Sequence, residues 1–158
     1  INTVDQARGV PVIVNTAARS GSGVARYGAT LKSTLGELGR KLVTLWIINR
    51  QRDSLELLAD FLEAMPVGAD HQAHVLRNLY FGAAEKFQLY NGSDIKKRIE
   101  ESGGKTLDFP DLADRVADQL ATDRLTIQGA LEAMPLGHKA ELIRWRNQAT
   151  KTLAQVMP

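Results

Sequence analysis

Three asparagines, each at the end of a short apolar run, are the residues of this chain best suited to chemistry. The runs are Val10–Asn15 (VPVIVN), Leu42–Asn49 (LVTLWIIN) and His74–Asn78 (HVLRN). A carboxamide both donates and accepts hydrogen bonds, and guanidinium groups nearby can neutralise an anion. Three arginines follow or precede these asparagines closely, namely Arg50, Arg52 and Arg77. The set suits a nucleotide base or a phosphate, whereas the alternative is that asparagine ends these runs because it favours turns.

The runs themselves are typical of strands buried on both faces, because they are short and rich in β-branched and aromatic residues. Helical patterns separate them, with leucine stripes at spacings of three and four residues. Buried strands that alternate with amphipathic helices predict a parallel sheet with ligands at the carboxyl ends of its strands. We therefore expect one three-layer α/β domain with a helical segment after Pro110. The predicted strands are Val10–Asn15, Leu42–Asn49, His74–Tyr80 and Thr106–Phe109.

Composition is that of an ordinary globular domain and excludes a few classes. The 158 residues are 44% hydrophobic and 24% charged, with a net charge of +2 and no cysteine. Disulfides and thiolate metal sites are therefore excluded, and a cytoplasmic location is expected. No apolar run approaches the roughly 20 residues that span a bilayer. The first residue is Ile1, so we expect the chain to lack an N-terminal part.

Familiar catalytic arrangements do not occur in the sequence. The histidines at 71, 74 and 138 lack the spacing of a metal site, and no serine stands in a G-x-S-x-G context. The small-residue stretch from Thr16 to Gly23 is either an anion-binding nest or a flexible turn. It is not a Walker A loop, since no Gly-Lys-Ser/Thr follows.

Two further patterns have structural or distant functional interpretations. The stretches Leu62–Gly68 (LEAMPVG) and Leu131–Gly137 (LEAMPLG) are nearly identical, but the sequences before them differ, so we predict two similar helix endings and no repeat.

Gly23, Arg26 and Thr30 match G-x-x-R-x-x-x-T, which resembles the arginine-finger motif of bacterial effector GTPase-activating proteins. The second block of those all-helical effectors, Gln-Trp-Gly-Thr, has no counterpart here, so this is a distant alternative.

The second half of the chain resembles the C-terminal half of ParA/MinD-type P-loop ATPases, in the plasmid stability, mobilisation and conjugal-transfer branch. The resemblance rests on three stretches: Val75–Gly82 (VLRNLYFG), Glu85–Ser93 (EKFQLYNGS) and Leu107–Leu112 (LDFPDL). The order of the predicted elements agrees with it over nearly the whole chain. The resemblance implies nucleotide-dependent homodimers that bind DNA or plasmid-transfer proteins.

The resemblance also implies roles for particular residues. Asn78 matches the asparagine that contacts the nucleotide base, and Pro110 matches the proline of the segment that passes the base. Asn15 stands where the family has the Walker B acid, and an uncharged amide would hold a magnesium-bound water more weakly. ATP and Mg²⁺ are expected only in a full-length protein whose phosphate-binding loop lies upstream. This chain alone is not expected to hydrolyse ATP, and an alternative function is that of a nucleotide-free α/β adaptor.

Overall fold

Three parallel strands form the centre of the computed structural model, which describes residues 5–7, 9–16 and 21–157. They are β1 (Leu42–Ile48), β2 (His71–Asn78) and β3 (Thr106–Phe109), in the spatial order β1-β2-β3. In the register, Ile48 of β1 lies opposite Arg77, and Asn78 lies opposite Phe109 of β3. Because both pairings are parallel, the carboxyl ends of all three strands reach the same edge of the sheet.

Seven α-helices are described around this sheet. They are α1 (Gly21–Glu37), α2 (Arg52–Ala64), α3 (Gln88–Asn91), α4 (Asp94–Glu101), α5 (Asp114–Thr122), α6 (Ile127–Ala133) and α7 (Leu136–Leu153). Gly39, at φ +62°, follows α1 and lets the chain turn into β1, which is the common role of a glycine at the end of a helix.

Helices cover both faces of the sheet because β2 is apolar on both. Ala73 and Val75 point to one face, where they pack with Leu58 and Leu62 of α2 and with Ile99 of α4. On the other face, Leu76 and Leu107 pack with Leu153 of α7 and with Val156 just beyond it. The predicted α/β class with a sheet between helices is thus confirmed.

The last three helices form a second core of their own. Its buried residues are Val116, Ala130, Met134 and Leu142. The Trp145 indole Nε1 donates a 2.9 Å hydrogen bond to the Pro110 carbonyl oxygen, and its ring meets Phe109 edge-on at 5.9 Å. The helical C-terminal segment predicted after Pro110 is therefore confirmed, and it is attached directly to the end of β3.

The two similar stretches are two helix endings, as predicted. Met65 follows α2 and Met134 follows α6, and each is the C-cap residue. Both side chains are buried, but in different cores, since Met134 belongs to the C-terminal cluster and Met65 packs beside Gly28 of α1. The same short sequence therefore serves the same local purpose twice.

Two sequence-based expectations are wrong. Val10–Asn15 is not a strand: the segment has no regular secondary structure and pairs with no strand of the described residues, and the side chains of Ile13 and Val14 are 80% and 71% exposed. High β-propensity does not make a strand without a neighbour that takes up its backbone hydrogen bonds. The strand expected at His74–Tyr80 begins at His71 and ends at Asn78, where a 3₁₀ turn replaces it.

The sheet also excludes the all-helical effector alternative. Arg26, its proposed arginine finger, lies exposed on α1 with its guanidinium carbon 5.1 Å from the centre of the Tyr27 ring. This arrangement is an ordinary surface cation–π contact.

Replacement of Gly104 by alanine should destabilise the fold. A Cβ at this position would overlap the Ala73 carbonyl oxygen and would lie 2.8 Å from the Ile99 carbonyl oxygen. Backbone atoms of β2 and α4 would have to move, so we expect a loss of about 1–3 kcal/mol in the free energy of unfolding, measured by urea denaturation. Gly36→Ala is the matched control, because nothing lies within 4 Å of its added Cβ and alanine favours helix by up to about 1 kcal/mol. Equal urea midpoints for the two variants would contradict this packing.

Candidate functional site

The carboxyl edge of the sheet brings together three of the residues singled out in the sequence. Asn49 follows β1, Asn78 ends β2, and Pro110 follows β3. The register places Asn49 next to Asn78 and Pro110 close to it on the other side. Neighbouring strands are about 4.8 Å apart, so a single small ligand could touch all three positions.

Both asparagines use their side-chain oxygens in local turns. Asn78 Oδ1 accepts a hydrogen bond from the Tyr80 backbone N–H at 3.1 Å, and Asn49 Oδ1 accepts one from the Gln51 backbone N–H at 2.8 Å. Since a backbone N–H can only donate, these contacts fix which end of each carboxamide is the oxygen. Among the described residues, neither amide nitrogen takes part in a hydrogen bond. Two neighbouring strand ends thus present N–H donors for a ligand with acceptors.

Arg77 reaches the same edge but is already engaged. Its Nε donates to Asp108 Oδ1 across the β2–β3 pair at 2.8 Å, and its Nη1 donates to Asn91 Oδ1 at 2.9 Å. The side chain is 16% exposed. Arg77 therefore ties β2 to β3 and to α3, and phosphate contact by this residue stays a prediction that would require these bonds to change.

Arg50 and Arg52 lie in a more open position. Both are exposed, Arg50 in the loop after β1 and Arg52 at the start of α2. Arg50 Nη1 donates to the Phe81 carbonyl oxygen at 3.1 Å, which links the loops that follow β1 and β2. These two cations can approach an anion at the edge without breaking a buried contact.

Asn15 is the predicted residue for which the structure shows no contact with this edge. It is exposed in the irregular segment that follows Gly9, and the start of this segment is bound by Arg40, which donates to the carbonyl oxygens of Ala7 and Val10. Of the small-residue loop expected from Thr16 to Gly23, residues 17–20 lie outside the described part, and Gly21–Gly23 form the first turn of α1.

Two aromatic residues at this edge were not identified from the sequence. Tyr80 and Phe81 lie in the 3₁₀ turn directly after Asn78, with exposed fractions of 64% and 42%. The predicted strand His74–Tyr80 included Tyr80 and ran on towards Phe81. The signal in the sequence was Gly82, because a glycine after a strand-like run indicates a turn. In the structure Gly82 has a φ of +117°.

His71 and His74 lie at the opposite, amino end of β2 and belong to the scaffold. Both are buried, on opposite faces of the strand. His71 Nε2 is 2.9 Å from Thr44 Oγ1, and His74 Nδ1 accepts from the Lys105 backbone N–H at 3.0 Å. Burial lowers the pKa of each imidazole, and nearby Lys32 and Lys105 add to this. Within the described residues, no three His, Asp or Glu side chains form a group that could hold a metal ion.

The fold and this edge define an α/β protein whose parallel sheet presents amide donors and arginines at the carboxyl ends of its strands. The sequence is 52% identical to Protein MobD of Acidithiobacillus ferrooxidans over 157 residues, which cover 99% of this chain and 68% of that protein. The chain therefore belongs to the MobD family. No protein-family model matches it, and no solved structure is significantly similar. None of the helices in the described residues is long and apolar enough to cross a membrane.

Stability should fall as the pH is lowered through the range in which histidine titrates. The folded state disfavours imidazolium at His71 and His74, so their pKa values lie below the unfolded value of about 6.5. Below pH ~6.5 the unfolded chain therefore binds more protons, and the stability present above this pH is progressively lost. The urea midpoint should decrease between about pH 7.5 and about pH 5.5.

His74→Asn is the variant that tests this origin, since its Oδ1 lies where histidine has Nδ1 and can still accept from the Lys105 N–H. We expect a weaker pH dependence in the variant than in the parent. An unchanged dependence would assign the effect to other groups.

Proposed function

We propose that this protein acts in plasmid mobilisation, as the nucleotide-binding part of a ParA/MinD-like member of the MobD family. Membership of this family supports the mobilisation context. The ParA/MinD resemblance of the stretches around Asn78 and Pro110 supports the choice of a nucleotide as ligand. Dimerisation with ATP, and binding of DNA or transfer proteins by the dimer, are parts of the same proposal.

The observation on which the proposal depends is the pair of neighbouring amide donors at Asn49 and Asn78. Each oxygen is occupied in a turn, and each nitrogen has no partner among the described residues. A nucleotide base has ring nitrogens and exocyclic oxygens that accept such donors, and its phosphates would be attracted by Arg50 and Arg52. Ligands of α/β proteins bind at this edge of the sheet in general.

Binding and hydrolysis are separate in this proposal. Gly-Lys-Ser/Thr does not follow the Thr16–Gly23 stretch, and Gly104-Lys105-Thr106 leads into β3 with Ile99 where a Walker A sequence has its first glycine. The resemblance puts Asn15 where the family has an acid. We therefore assign base recognition to this chain. Magnesium and phosphate chemistry are assigned to a phosphate-binding loop elsewhere in the complete product of the gene. The matched MobD protein is longer than this chain, since the alignment covers 68% of it.

Asn78→Asp in the complete gene product should weaken nucleotide binding without loss of the fold. The aspartate keeps an oxygen that accepts from the Tyr80 N–H but replaces the two amide donors with a negatively charged oxygen. We expect affinity for ATP, measured by isothermal titration calorimetry, to fall about tenfold or more, because a lost hydrogen bond to an acceptor is worth about 1.4 kcal/mol or more at such a site.

The matched control is Asn147→Asp, which adds the same charge at an exposed position of α7. The control should bind ATP as the parent does. If the parent binds no nucleotide, the nucleotide-free adaptor is the better account. If both variants lose affinity equally, the effect is one of net charge and Asn78 does not read the base.

A further inference from the structure

Tyr80 and Phe81 form an exposed aromatic pair at the edge of the sheet. Their ring centres are 5.2 Å apart and their planes are at 85°. The exposed fractions are 64% and 42%. Single exposed aromatic residues are common, but two adjacent ones beside a polar strand edge offer a flat ligand a ring face on which it can stack.

The pair is held in this position from three sides. Asn78 Oδ1 accepts from the Tyr80 backbone N–H and begins the turn. Gly82, at φ +117°, ends it in a conformation that other residues rarely adopt. Arg50 Nη1 donates to the Phe81 carbonyl oxygen. Because these contacts fix the backbone under the rings, only the side-chain rotamers of Tyr80 and Phe81 remain to be ordered on binding.

The groups next to the rings indicate what kind of ligand fits. An added Cβ at Gly82 would lie 3.4 Å from Arg50 Nη1 and 3.0 Å from Lys86 Cδ, so both cationic side chains adjoin the turn. An apolar segment of a protein partner would gain little from two flanking cations. A nucleobase that bears phosphates matches all of these groups, since its π-face stacks on an aromatic ring and its phosphates pair with Lys and Arg.

We propose that Tyr80 and Phe81 form a stacking site for a nucleobase, with Arg50 and Lys86 placed to contact the attached phosphates. The ligand class rests on the proposed function, whereas the stacking residues go beyond it. The same chemistry is offered by a free nucleotide and by the bases of a single-stranded nucleic acid. Asn78 reads hydrogen-bond acceptors and is sensitive to base identity, whereas a stacking site accepts every base.

The test measures binding of two probes by the complete gene product: ATP by calorimetry, and a fluorescein-labelled oligothymidylate by anisotropy. Tyr80→Ala should weaken binding of the stacked probe about 5- to 150-fold, the range that loss of one stacked base produces. Tyr80→Phe keeps the ring and should bind within about twofold of the parent. Tyr27→Ala is the matched control, since Tyr27 is 57% exposed on α1, far from this turn in sequence, and it should bind as the parent does.

The two probes distinguish a free nucleotide from a single-stranded nucleic acid as the source of the base. A loss by Tyr80→Ala with ATP alone identifies a free nucleotide, and a loss with the oligothymidylate alone identifies a single strand. A decrease in oligothymidylate affinity with rising salt would support contact of Arg50 and Lys86 with phosphates.

The outcomes also separate this proposal from the proposed function. If Asn78→Asp weakens ATP binding and Tyr80→Ala changes neither probe, stacking is overturned while nucleotide binding stands. If ATP does not bind but Tyr80→Ala weakens oligothymidylate binding, stacking stands and the nucleotide proposal fails. Equal losses in Tyr80→Phe and Tyr80→Ala would overturn stacking, because the hydroxyl and not the ring would then be responsible. No binding of either probe by the parent would overturn both.

Discussion

Parallel pairing of β2 with a neighbour on each side is the constraint on which the rest of the structure depends. A strand hydrogen-bonded on both sides and buried on both faces cannot shift its register without exposing its apolar residues. That fixed register places the ends of β1, β2 and β3 at one edge. The Arg77–Asp108 pair joins β2 to β3 near this edge, and Arg77 also reaches Asn91. The strand register therefore fixes the relative positions of the strand ends that bear the candidate site.

The carboxamides at the strand ends have a structural role that occupies only one of their two polar atoms. The oxygen of Asn78 forms the turn that positions Tyr80, while its nitrogen remains a donor without a partner among the described residues. The side-chain oxygen of Asn49 likewise accepts from the Gln51 backbone N–H, and its amide nitrogen has no partner among the described residues. The sequence left two interpretations open for each asparagine. A role in a turn concerns the carboxamide oxygen, whereas a contact with a ligand would concern the carboxamide nitrogen.

The C-terminal helices have their own core, and one of their links to the site is the short segment that follows β3. Trp145 donates to the carbonyl oxygen of Pro110, and its ring packs against Phe109 at the end of β3. Arg144 donates to the carbonyl oxygen of Asp111 as well. Pro110, the residue that the family resemblance places beside a base, is consequently held between the sheet and the helical unit.

The sequence by itself determined the α/β class, three of the strands, the helical end of the chain and the shared edge of Asn49 and Asn78, because apolar runs and helical periodicity are local properties of the chain. Only the tertiary structure decided that Val10–Asn15 is not a strand, that Arg77 is engaged with Asp108 and Asn91, and that Tyr80 and Phe81 face solvent. Each of these depends on a partner distant in sequence or on a turn geometry. Secondary-structure propensity cannot predict such a partner, because it describes the conformation that a segment favours and not the residues that lie beside it in the fold.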